Sequence, residues 1–208
     1  EMAEHAVDIR ERGAVGFDLA GEEGGFPPKK HSDAFHYIQR ENFNITVHAG
    51  EAFGKESIWQ AIQWCGAHRI GHATRLIEDI GLDKHDRRKI VKMGYLAQYV
   101  LDKRLPLEIC LTSNVDTGAV RSLEEHPFGI YFAYKFRVTL NTDDRLLSDT
   151  TMTKEFKTAH QVFDLTLEDL EKLTINAMKS AFLPYNRRIK MIYDVIKPGY
   201  AKARRHSK

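Results

Sequence analysis

Two histidines and several carboxylates of this 208-residue chain stand where they could do chemistry together. His48 lies near the end of the run Asn44-Ile45-Thr46-Val47-His48-Ala49 and is followed by Gly50-Glu51. His72 closes the short run Arg69-Ile70-Gly71-His72, and Asp143-Asp144 follow Arg137-Val138-Thr139-Leu140-Asn141-Thr142. Two further runs end in Asp18-Leu19-Ala20-Gly21-Glu22 and in Thr112-Ser113-Asn114. Imidazole with carboxylate suits zinc, and also iron or nickel. A spare glutamate beside such ligands suits general acid/base work. A bound metal lowers the pKa of a water and makes hydroxide available near neutral pH. The residues alone therefore favour a metal-dependent hydrolase. Singly, each has a plainer reading: His48 and His72 as core or surface histidines, Asp143-Asp144 as turn formers. Their joint placement at the ends of segments carries the argument. Other histidines, including His5, His31, His36 and His160, lie in helical or loop stretches and are assigned no role.

The elements that position these residues alternate between strand and helix. Met2, Ala6 and Ile9 have helical spacing, with Gly13 as a stop. Residues 14–20 form a short apolar run, as in a strand buried on both faces. After the Gly/Pro loop Gly21–Pro28, Ser32 is a candidate N-cap for a helix carrying Phe35 and Ile38. Residues 44–49 read as a strand, and Ser57 as the cap of a helix with Ile58, Ala61, Ile62 and Cys65 on one face. Residues 69–72 are a third strand and about 83–103 a long helical stretch. Residues 107–112 are a fourth strand, with Pro106 at its start. A short helix near 122–133 leads to the fifth strand, 137–141. Helices follow at about 152–163, 167–181 and 186–195, and Thr166 with Asp169 resembles a capping box.

Five strands separated by helices imply an α/β fold of parallel βα units. An open doubly wound sheet and a (β/α)₈ barrel both fit that pattern. In either, the polar strand ends gather on the carboxyl edge, where such folds build sites.

Composition excludes several classes. At 42% hydrophobic and 29% charged residues the chain is globular in type. It carries no long apolar run for a membrane span and no signal-like start. Cys65 and Cys110 are too few for a disulfide framework and sit among apolar neighbours, so buried free thiols and a reducing, cytoplasmic setting are expected. The net charge of +2 hides an asymmetry: five basic residues and no acid lie from Lys197 onward, leaving 26 basic against 29 acidic residues elsewhere. Residues 1–196 thus read as one mildly acidic domain, and 197–208 as a basic, solvated tail. Without a basic aromatic-rich surface, nucleic-acid binding is not expected. No Gly-x-Ser-x-Gly, His-Glu-x-x-His or Pro-Cys-x-x-Cys occurs. Gly50–Lys55 is one residue short of a P-loop and continues with Glu56.

Taken together, Val15–Glu23, Thr46–Glu51, Arg69–His72, Leu111–Asn114 and Leu140–Asp144 resemble the adenosine deaminase family, in a form like that of actinobacterial members. The stretches occur in family order and span nearly the whole chain. The resemblance implies a (β/α)₈ barrel, of which this chain supplies about the last five βα units, with one Zn²⁺ at the carboxyl ends of the strands. His48 and Asp143 then match metal ligands. Glu51 is the acid that protonates purine N1, and His72 holds and helps deprotonate the attacking water. Asp144 meets purine N7, and the Gly21 N–H meets N3. The implied partner is a purine nucleoside, adenosine or 2'-deoxyadenosine, converted to inosine-type product and ammonia. Ala73 stands where many members have Gly, and Arg145 where many have Pro. The family's His-x-His pair, which supplies two more ligands, does not occur in these 208 residues. The isolated chain is therefore expected to be inactive. Alternatives are an adenine deaminase of the same superfamily and a non-catalytic fragment or degenerate relative.

Overall fold

Short strand-forming runs and amphipathic helices alternate along the chain, and the computed structural model shows what they build. It describes residues 1–206, in two units: Glu1–Ile109 with Pro127–Arg137, and Cys110–His126 with the chain from Val138.

In the first unit α1 (Met2–Asp8) precedes β1 (Gly16–Leu19), α2 (Ser32–Arg40), β2 (Asn44–Ala49), α3 (Lys55–Gln63) and β3 (Arg69–His72). A hairpin of β4 (Ile80–Leu82) and β5 (Ile90–Met93) leads to α4 (Tyr95–Asp102) and β6 (Pro106–Ile109). After α5 (Leu111–Asp116), which belongs to the second unit, α6 (Phe128–Ala133) returns to the first. Strands β1, β2, β3 and β6 pair in parallel, in that order. Ile45, Val47, Ala49, Ile70, Leu107 and Ile109 are fully buried, as are Phe35, Ile38, Ile58 and Ala61 from the flanking helices. Each such large side chain contributes about 1.5–3 kcal/mol of burial. The expected helical face Ile58, Ala61, Ile62, Cys65 is buried throughout.

Several boundaries differ from expectation. Ser32 opens α2 with His31 in the cap position. Ser57 is the third residue of α3, capped by Gly54; its hydroxyl accepts from the Gly50 N–H and donates to the Gly54 carbonyl. The stretch 83–103 is helical only from Tyr95. Asp83 Oδ1 accepts the N–H groups of His85 and Asp86 and closes a turn, while the Asp79 carboxylate takes the Ala97 N–H at the start of α4. The strand expected through Thr112 stops at Ile109, because Cys110 begins the turn into α5 and its carbonyl accepts the Asn114 N–H. The helix near 122–133 is confined to Phe128–Ala133.

The second unit holds α5, most of β7 (Arg137–Leu140), α7 (Met152–Phe163), α8 (Leu167–Ser180) and α9 (Tyr185–Lys190). From α9 the chain runs through one π-helical stretch, Met191–Ile196, into α10 (Lys197–His206). The basic segment from Lys197 is thus helical, not a free tail. Tyr200 shares a 2.7 Å hydrogen bond with Thr174, and Arg204 pairs with Glu171, both on α8. Residues 207–208 of the expected tail lie outside the described residues. No helix among the described residues is long and apolar enough to cross a membrane. Cys65 and Cys110 are buried and form no disulfide among the described residues, and burial pushes the Cys65 thiol up to about 12.

The capping box at α8 is present: Thr166 Oγ1 accepts the Asp169 N–H, and the Asp169 carboxylate accepts the Thr166 N–H. Burial pushes the Asp169 carboxyl up, but hydrogen bonds from Lys172 and Thr166 outweigh it and hold it at about 2. Its contribution to stability is therefore complete above its unfolded value of about 3.9 and is lost as pH falls through about 2. Thr166→Ala is expected to cost about 1 kcal/mol in urea denaturation. Asp169→Asn should flatten the stability loss between those two pH values.

Candidate active site

β2 sends Val47 and Ala49 into the core and His48 to its other face, 29% exposed. The register places His48 beside Gly71 of β3. A Cβ at Gly71 would lie 3.1 Å from the His48 ring and 3.2 Å from its Cα, so glycine there lets the imidazole lie close across the sheet. His48 Nε2 is 3.5 Å from Asp18 Oδ2 at the end of β1. Its Nδ1 is 3.1 Å from His72 Nε2, one nitrogen of the pair carrying the hydrogen. The two rings meet edge to face, with centroids 4.8 Å apart. His72 is buried at the end of β3, and its Nε2 is also 3.5 Å from Glu51 Oε2.

This strand end is held in an uncommon backbone conformation. His72 and Ala73 have φ of 64° and 51°, in the left-handed region that glycine occupies at least cost. Ala73 therefore holds a conformation that glycine would adopt at less cost. Buried Tyr131 supports it, its hydroxyl 3.1 Å from the carbonyls of both Ala73 and Thr74. Thr74 Oγ1 donates to the Gly50 carbonyl at 2.6 Å. Strained backbone of this kind concentrates where a side chain must be aimed.

The loop after β2 is held by a residue to which sequence reasoning gave no role. The Glu23 carboxylate, buried, accepts the N–H groups of Gly50, Glu51, Ala52 and Phe53 at 2.5–2.9 Å. No sequence signal marks it, because its partners lie 27–30 residues away. Gly21, just before it, has φ of 126° and open space where a side chain would stand. Gly21 and His48 line one cavity of about 280 Å³, together with Leu19, Phe26, Pro28 and His31.

In the second unit, Asp143 follows β7 with φ of 54°, and Ser113 Oγ donates to its carboxylate at 2.7 Å. Asp144 Oδ1 accepts the N–H groups of Leu146 and Leu147. Thr112-Ser113-Asn114, expected at a strand end, open α5 instead. Below them lies the fully buried Glu155 carboxylate, another residue with no sequence signal. It accepts from the hydroxyls of Thr112 and Thr150 and from the Thr112 N–H.

The structure thus brings His48, Glu51 and His72 together and places Gly21 on the same cavity as His48. Asp143 and Asp144 belong to the other unit. Imidazole nitrogen and carboxylate oxygen are donor types that zinc takes, and here His48 lies beside Asp18 and His72 beside Glu51. Glu51 against His72 can pass and hold protons.

The model of one protein family, Adenosine deaminase, matches residues 1–198. "Adenosine deaminase 1" of Streptomyces coelicolor is 54% identical over 202 residues, covering 97% of this chain and 50% of the relative. The chain therefore spans about half the length of that relative. Among solved structures, an adenine deaminase from Arthrobacter aurescens superposes with a TM-score of 0.78 at 22% identity, covering 94% of this chain and 57% of that one. An amidohydrolase from Burkholderia ambifaria with bound Zn superposes with a TM-score of 0.77 at 16% identity, over 96% of this chain and 54% of its own. These likenesses show the fold to be that of part of a (β/α)₈ barrel, as expected, and exclude the open doubly wound sheet. By the match of its sequence from residue 1 to residue 198, the chain belongs to the adenosine deaminase family.

Proposed function

We propose that this chain is the C-terminal part of a zinc-dependent deaminase that hydrolyses adenosine and 2'-deoxyadenosine to the inosine-type nucleoside and ammonia. The observation that carries this reading is the contact of Glu51 with His72 beside His48, next to the cavity that Gly21 lines. Family membership supports it. His48 and Asp143 are the proposed metal ligands in this chain. The metal, when bound, supplies Lewis acidity that makes a water nucleophilic near neutral pH.

The remaining work falls to side chains. Glu51 gives its proton to purine N1, which draws electrons from C6 and opens it to attack. His72 orients the water and takes its proton as the oxygen adds to C6. The Gly21 N–H donates to N3, and Asp144 binds at N7. His72 then gives the proton it took to the C6 amino group, the C6 hydroxyl gives its proton to the Glu51 carboxylate, and the C6–N bond breaks to release ammonia and leave the C6 carbonyl. With Cys65 and Cys110 buried and in no disulfide among the described residues, a reducing, cytoplasmic setting suits the protein.

The test is incubation of adenosine with the longest natural form of the protein that contains these 208 residues. Inosine and ammonia in equal amounts support the reading; unchanged nucleoside overturns it. The 208 residues expressed alone should hold zinc below stoichiometric amounts and show no turnover, because they lack a His-x-His pair. Full zinc occupancy with turnover would contradict that part of the proposal.

A further inference from the structure

We infer that Glu23 is the positioning residue for Glu51: its carboxylate anchors the loop that aims the proton donor at the substrate. The inference rests on the deaminase reading above and concerns a residue that reading leaves without a task.

The loop Gly50–Phe53 joins β2 to α3 without strand or helix hydrogen bonds of its own. Backbone N–H groups in such a stretch need acceptors. Here four in succession turn to one carboxylate: Gly50 to Oε1 at 2.5 Å, and Glu51, Ala52 and Phe53 to Oε2 at 2.9, 2.6 and 2.9 Å. Successive N–H groups converging on one anion form a nest, and hydrogen bonds to an ionised acceptor are among the stronger ones. Gly50 makes the turn possible, with φ of 72° and a missing Cβ that would lie 2.5 Å from Ile58. Two of the four N–H donors flank the Glu51 side chain directly. Fixing them fixes the Glu51 Cα, and with it the approach of its carboxylate to His72. Glu23 itself reaches no reacting atom in this arrangement and acts through Glu51.

The chemistry of the anchor dictates what variants do. In Glu23→Gln one oxygen can still accept the three N–H groups at the Oε2 position. The amide NH₂ then faces the Gly50 N–H, a donor against a donor. In Glu23→Ala the nest is empty, and a small carboxylate from solution fits it. The experiment measures adenosine turnover by the metal-loaded longest natural form, with Glu23→Gln and Glu23→Ala beside the unaltered protein. Amide hydrogen exchange of residues 50–53 and metal content are read on the same samples. The expected result is a fall in kcat of about tenfold for Gln and about a hundredfold for Ala, with KM nearly constant. Metal content should stay unchanged, exchange at residues 50–53 should quicken, and added acetate should partly restore kcat of the Ala variant. Unchanged kcat in both variants overturns the inference. So does a loss that tracks metal content or global stability and is not restored by acetate. If the Ala variant does not fold, the near-isosteric Gln variant decides by its kcat and exchange. If the unaltered protein makes no inosine, the deaminase reading fails, while the exchange data still show separately whether Glu23 holds the loop.

Discussion

Glu51→Gln is expected to lower kcat for adenosine by about 10²–10⁴-fold, the range that a well-placed general acid contributes. The amide is nearly isosteric and keeps the backbone N–H that Glu23 accepts, so the loop should stay in place. What it loses is the proton proposed to pass to purine N1. Metal content, read by atomic absorption, should match that of the unaltered protein, because the proposed ligands are His48 and Asp143. A Gln variant that loses its metal would reassign Glu51 as a ligand and remove the proton-donor role.

His48→Ala should give the opposite signature: metal lost first, and activity with it. The imidazole lies across Gly71 and is 29% exposed, so its removal leaves a shallow hollow at the strand end instead of a core cavity. Stability of the metal-free protein should therefore change little. The loss in kcat should exceed the roughly 10–100-fold typical of residues that only support a ligand. It should also resist rescue by added zinc at concentrations that saturate the unaltered protein. Metal content and turnover on one preparation check this. A variant that keeps its zinc would move the ligand role elsewhere.

These two residues show what could be read from the sequence. β2 and β3 lie where the short runs around Ile45, Val47 and Ile70 place them, because strands of a parallel sheet are covered on both faces and favour apolar residues. The capping box at Thr166 was equally legible, being a local pattern with a local partner. The misread segments depend on partners that spacing does not show. Residues 83–93 contain no Gly or Pro to break a helix. They turn instead on Asp83, and the Tyr134 hydroxyl accepts the Ile90 N–H from 44 residues away. The buried acids Glu23 and Glu155 escaped notice for the same reason. A carboxylate among Gly and Glu, or on an amphipathic helix, looks solvated until the chain returns N–H and O–H donors to it. The helical run of the basic segment beyond Lys197 depends likewise on Thr174 and Glu171, which no local pattern links to it.

One measurement bears most directly on the central claim. Adenosine and adenine, in equal amounts, are given to the longest natural form of the protein in ¹⁸O-labelled water, and the products are followed by mass spectrometry. Inosine is expected to appear first and to carry one ¹⁸O at C6, with hypoxanthine formed from adenine far more slowly. Hypoxanthine formed faster than inosine, or inosine without the label, would contradict it.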